Sequence, residues 1–157
     1  TIEIIEGLDS DVPVPIAIQP RIRELIKSAD LMVFPIGSFY SSVLCNLLPI
    51  GVGRAIVDTP CPKIYIPNMG HDPETMDTPV ADLLKKLVFQ VRKDAGNAPI
   101  DQIVNMVLID SEKGRYAGHV DTKAIEELGV QVSDLDIAEH ADQIAPEKLV
   151  RLLLSIT

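Results

Sequence analysis

Short, unbroken apolar runs alternate along this chain with longer amphipathic segments, and few folds accommodate that pattern. A run of four to eight apolar residues is too short for a free helix but suits a strand buried on both faces, as in a parallel sheet covered by helices. Residues 2–5, 31–36, 63–67, 103–109 and 130–132 are the expected strands. Between them, Ile22, Leu25, Ile26 and Ala29 fall at helical spacing over 20–29, with Pro20 suited to a first turn. Two short helices are expected at 43–48 and 52–57, divided by Pro49-Ile50-Gly51. The clearest helix spans 80–93, with Leu83, Leu84, Leu87, Val88 and Val91 on one face and Asp82, Lys85, Lys86 and Arg92 largely opposite. Helices over 122–128, stopped by Gly129, and over 146–156 complete the pattern. Residues 7–15 and 68–79 read as loops.

The expectation is one α/β domain over residues 1–157, a Rossmann-like, three-layer arrangement around a parallel sheet, with no internal repeat or linker. Composition agrees: 46% hydrophobic residues with only 4% aromatics require a core of Ile, Val, Leu and Ala. At 157 residues the chain can bury roughly two-thirds of its unfolded surface without disulfides or structural metals. Thr1-Ile2-Glu3-Ile4-Ile5 begins as a strand already in mid-flow, so the chain is expected to be part of a longer protein whose remainder adds strands to the same sheet.

A formal charge of −9 without any Lys/Arg block repels a nucleic-acid backbone and an anionic membrane surface, so neither is an expected partner. No apolar run approaches the roughly 20 residues that span a bilayer, no signal-peptide pattern opens the chain, and the expected location is cytoplasmic. Cys45 and Cys61 lack metal-site spacing and read as buried or half-buried thiols; no residue is assigned to a metal.

In open α/β sheets ligands gather outside the carboxyl ends of the strands, which singles out the loops after Ile36 and Pro67. In the first, Gly37 permits close backbone approach, and Ser38, Tyr40, Ser41 and Ser42 cluster hydroxyls where a helix should begin. A single serine there could simply cap the helix, a role worth about 1 kcal/mol. Four hydroxyls exceed one N-cap position and favour a phosphate or other polar ligand held by amides and hydroxyls. In the second loop, His71, Asp72 and Glu74 could act as acid, base or metal ligands, or could form a solvated turn whose side chains bond their own backbone. Asn68, at the strand end, should face the same crevice as the first loop. His119 and His140 are isolated, and the elbow, P-loop and zinc-protease motifs are absent from the sequence.

The segment from Ala29 through Gly37-Ser38-Phe39-Tyr40-Ser41-Ser42, Asn46-Leu47-Leu48 and Gly51-Val52-Gly53-Arg54-Ala55-Ile56 resembles the CofD-like family. That family includes the 2-phospho-L-lactate transferase of deazaflavin-coenzyme synthesis and the gluconeogenesis factor that binds UDP-sugars. The likeness continues through Ile64-Tyr65-Ile66-Pro67-Asn68 and Pro73-Glu74-Thr75, and more faintly over 121–132, so it covers nearly the whole chain. Three departures point to a divergent branch: Ile36 stands where the family has proline, no glycine lies between Pro73 and Glu74, and the family's Asp-His pair reads Asp82-Leu83.

The resemblance implies that Gly37, Ser38, Tyr40, Ser42, Asn46 and Asn68 line a nucleotide-diphosphate or nucleotide-sugar site. It further implies that this is the C-terminal half of a larger doubly wound fold, without the glycine-rich opening half that carries a metal-binding aspartate. A divalent metal, magnesium, would serve only the complete protein, and this part alone would not catalyse. The implied function is transfer of a phosphate-bearing group; the alternative is a non-enzymatic nucleotide-sugar-binding regulator, and the third reading is a purely structural interaction domain. A homodimer, or association with the absent half, is the expected assembly.

Overall fold

The computed structural model describes residues 2–7, 9 and 11–156; residues 1, 8, 10 and 157, which belong to the first expected strand, the first loop and the chain's end, lie outside the described residues. Among the described residues five α-helices and six strands follow one another as α1 (Pro20–Lys27), β1 (Met32–Phe34), α2 (Val52–Asp58), β2 (Lys63–Tyr65), α3 (Val80–Ala95), β3 (Met106–Ile109), α4 (Thr122–Glu126), β4 (Gln131–Asp134), β5 (Ala138–His140), β6 (Gln143–Ile144) and α5 (Pro146–Leu154). Strands β1 to β4 form one parallel sheet in sequence order, with Val33 opposite Ile64, Tyr65 opposite Val107 and Val107 opposite Val132. The expected Rossmann-like, three-layer α/β architecture is the observed one.

Side chains alternate across the sheet, as period-two geometry demands. Phe34, Tyr65, Val107 and Ile109 enter a core shared with Leu84, Leu87 and Val91 of α3 and Ile125 of α4. Val33, Ile64 and Leu108 face the opposite core, covered by Leu149, Leu152 and Leu153 of α5. Helices α2, α3 and α4 each connect neighbouring parallel strands, so right-handed crossovers put all three on one face. Leu84, Leu87 and Val91 are fully buried, each contributing about 1.5–3 kcal/mol by leaving water. Helix α2 approaches α3 closely at Gly53, where a Cβ would lie 2.5 Å from the Val91 carbonyl oxygen.

Several expected elements shift. Residues 2–5 do not join the sheet: Ile5 makes a single bridge to Pro13, and the Val14 amide donates to the Ile4 carbonyl at 2.8 Å. Pro13 and Pro15 have no N–H to extend that pairing into a ladder. The helix expected at 43–48 begins earlier, as a π-helical turn at Phe39–Val43 followed by a 3₁₀ turn at Leu44–Leu47. Strand β3 takes up only Met106–Ile109 of the expected 103–109, because a 3₁₀ turn at Ile100–Gln102 continues into the next residues, with the Ile103 and Val104 amides both donating to the Ile100 carbonyl. The β5–β6 hairpin went unanticipated because its acids, Glu139 and Asp142, give no alternating apolar signal.

Candidate functional site

Strands β1 and β2 both end on the same side of the sheet, and their two following loops meet there. Gly37 opens the first loop at φ +146°, a conformation side chains rarely adopt, and an added Cβ would come within 3.2 Å of the Ser42 Cβ. The chain then winds into the wide turn at Phe39–Val43, closed by the Ser42 amide donating to the Ser38 carbonyl at 2.9 Å. Turns of this kind often accompany functional positions.

The second loop caps this turn. The Phe39 amide donates to Asp72 Oδ2 at 3.1 Å, while the Tyr40 and Ser41 amides donate to Glu74 Oε2 at 2.7 and 3.0 Å. Asp72 is 2% exposed, and its Oδ1 accepts the Glu74 amide at 3.0 Å, so one carboxylate fastens the two loops together. The amides expected to face a ligand phosphate are therefore already engaged by carboxylates of the chain itself. Ser38, which stands at the N-cap position and could have served as a simple capping serine, makes no side-chain cap. Asp72 is neither a solvated-turn residue nor a free base, because its burial and its amide partners make it a brace.

The Ser41 hydroxyl, and after it the Ser41 amide, hold the Glu74 carboxyl below its ordinary range, with burial opposing and the Tyr40 amide assisting. A depressed folded pKa stabilises the protein above the unfolded value and loses that stabilisation as pH falls through the folded one. Glu74→Gln should therefore lower the melting temperature at neutral pH and converge with the wild type in acid, below about pH 4. Parallel melting curves from pH 7 to pH 3 would show that the carboxylate is not engaged in solution.

The remaining expected residues fall around this clamp. The Tyr40 hydroxyl accepts a hydrogen bond from Lys86 Nζ at 3.0 Å, and the same ammonium lies 5.5 Å from the Tyr40 ring centroid. Asn46 is exposed and its amide donates to the Ser42 carbonyl at 2.6 Å, tying it to the helical turn. Ser38 and Asn68 are half-buried, and Asn68 lines a cleft with Gly37, Asp72 and Thr78. The cleft's volume is only about 20 Å³, enough for one water and not for a nucleotide.

Sequence reasoning missed Lys86, which was placed on the solvent side of α3 although its reach brings it to Tyr40. It also missed the far wall, where Gly118 packs so closely that a Cβ would sit 1.8 Å from the Thr78 carbonyl oxygen. Lys113, in the loop after β3, and Lys148 of α5 both donate to Asp136 Oδ1, at 2.7 and 2.6 Å. Among the described residues no three His, Cys, Asp or Glu side chains converge to hold a metal. The acids nearest the loop, Asp72 and Glu74, are committed to amides, so this chain's residues do not by themselves make a magnesium site. Among the described residues no helix is long and apolar enough to cross a membrane.

Fold and geometry together define a Rossmann-like α/β domain whose strand-end crevice is built from two mutually clamped loops. The chain belongs to the CofD family: the family model described as 2-phospho-L-lactate transferase CofD matches residues 9–138. It is 31% identical over 147 residues to the gluconeogenesis factor of Listeria monocytogenes, covering 87% of this chain and 44% of that protein. It is 33% identical over 129 residues to the gluconeogenesis factor of Halalkalibacterium halodurans, covering 76% of this chain and 39% of that one. A crystal structure of a protein from Bacillus halodurans matches with a TM-score of 0.70 at 26% identity, over 88% of this chain and 47% of that chain. The chain thus spans less than half the length of these relatives.

Proposed function

We propose that the domain binds a nucleotide diphosphate or nucleotide sugar across the mouth of the crevice, with Gly37, Ser38, Tyr40, Ser41, Ser42, Asn46 and Asn68 forming the binding surface. The observation that carries this reading is the chemistry left over after the loops clamp each other. The Ser38 and Ser42 hydroxyls and the Asn68 amide make no hydrogen bond among the described residues, while Lys86 stands at Tyr40 without a carboxylate partner. Hydroxyls, an amide and one cation suit a diphosphate linked to a polar group. Since Asp72 and Glu74 already take three amides of the turn, the bound phosphate relies on side chains, and Lys86 supplies the charge in a chain of net −9.

Of the two activities the resemblance implies, binding without turnover is the better supported by this chain. Its curated relatives quoted above are named gluconeogenesis factors. Transfer of a phosphate-bearing group remains a proposal for a longer polypeptide. In that reading the open edge of β1, which among the described residues pairs only with β2, is covered by further strands of that polypeptide. The groove beside it, about 500 Å³ and lined by Ile22, Leu25, Met32 and Val33, would then be buried.

Calorimetric titration with UDP-N-acetylglucosamine and with GDP tests the proposal. Saturable binding should weaken about tenfold in Ser38→Ala, the equivalent of one lost hydrogen bond, and by a similar factor in Lys86→Ala. Undiminished affinity in both variants would sink this placement of the site. Product formation from either nucleotide in the presence of an acceptor would favour the transferase reading instead.

A further inference from the structure

The cleft's inner end contains a group that the nucleotide reading does not use. Tyr65, the last residue of β2, is 2% exposed and its hydroxyl makes no hydrogen bond among the described residues. No polar side-chain atom fully sealed from solvent lacks a partner among those residues, so the Tyr65 hydroxyl must touch space that a water can enter. That space is the cavity of about 20 Å³ lined by Tyr65, Asn68, Asp72 and Thr78. We propose that one ordered water occupies this cavity and bridges the Tyr65 hydroxyl to the Asp72 carboxylate.

The chemistry of the lining is complementary to a water. Such a site needs two to four polar partners and room for about one probe sphere, and both conditions are met. Each Asp72 oxygen accepts one amide, Phe39 on Oδ2 and Glu74 on Oδ1, and a carboxylate oxygen has a second lone pair to offer. Asn68 and Thr78 also line the space, and their side chains make no hydrogen bond among the described residues. Burial, and after it the Asp72 charge, push the Tyr65 phenol up, so it keeps its proton throughout the neutral range and can donate. An apolar tenant would leave the hydroxyl and two lone pairs unmet, which is costly for buried polar groups.

The water would have a structural consequence for the loops. Asp72 is the buried one of the two carboxylates that tie the first loop to the second, and Tyr65 belongs to the sheet beneath them. The bridge therefore fixes the loop clamp to the sheet. This inference stands whether or not a nucleotide is the ligand.

The test is a crystal structure of the chain at a resolution that shows ordered waters, paired with hydrogen exchange on wild type and Tyr65→Phe. The expected result is a water within about 2.6–3.2 Å of both oxygens in the wild type. Its loss in Tyr65→Phe should speed exchange of the Phe39 and Glu74 amides about tenfold. A dry cavity, a Tyr65 hydroxyl bonded directly to protein, or unchanged exchange at both amides would overturn the proposal. Should Tyr65→Phe fold poorly, water relaxation dispersion on the wild type reads the same long-lived water without any variant, and its absence would equally overturn it.

Discussion

Replacing Asp110 with alanine should destabilise the protein by about 3–5 kcal/mol, because it strands three amides at once. Asp110 directly follows β3 and is 2% exposed. Its Oδ1 accepts the Lys113 amide at 2.9 Å, and its Oδ2 accepts the Ile137 and Ala138 amides at 3.1 and 2.9 Å. Ile137 and Ala138 are each 1% exposed, so neither amide can turn to water once the carboxylate is gone. In a domain of this size a loss of that order lowers the melting temperature by about 10 °C or more. Burial works to raise the Asp110 pKa, but the amides of Ala138, Lys113 and Ile137 outweigh it and leave the net shift downward. The carboxylate's contribution is accordingly complete above about pH 4, the unfolded value, and is lost as pH falls through the depressed folded pKa. Wild type should lose stability steeply in that acid range while Asp110→Ala changes less. Equal melting temperatures at pH 7 would show that the three amides find other partners.

The legible and illegible parts of this fold divide along a physical line. Helix α3 was readable because Leu83, Leu84, Leu87, Val88 and Val91 repeat on one face, and the structure buries all five. Strands β1, β2 and β3 were readable as apolar runs because both faces of the sheet are covered, leaving no polar side to encode. Residues 2–5 present the same apolar signal, but a run of that kind does not say whether a neighbouring strand exists to pair with it. The crevice was located by topology, since the loops after β1 and β2 must lie at one end of a parallel sheet. What stayed hidden was the pairing between them: Asp72 lies 33 residues from Phe39 and carries no pattern of its own, and only folding brings it against the Phe39 amide. Acids in a Pro- and Gly-rich loop look solvated until the fold supplies donors for them.

That pairing makes Asp72→Ala the substitution that should damage the candidate site most. It would leave the Phe39 and Glu74 amides without acceptors and open space beside Tyr65 and Thr75, for an expected loss of about 2–4 kcal/mol. The melting temperature should fall by roughly 5–12 °C for a domain of this length. Asp72→Asn separates charge from geometry: an amide group offers one carbonyl acceptor, so it can keep one of the two contacts while presenting an N–H₂ to the other. Its loss should be about half that of the alanine variant. If the crevice is the binding site, nucleotide affinity should fall in Asp72→Ala by more than the tenfold expected for Ser38→Ala, because the turn carrying Ser38, Tyr40 and Ser42 loses its tie at Phe39 and the Glu74 backbone that supports its other tie is freed as well. A stability loss with affinity unchanged would mean that the clamp shapes the fold but not the ligand surface, and would move the binding site away from the first loop.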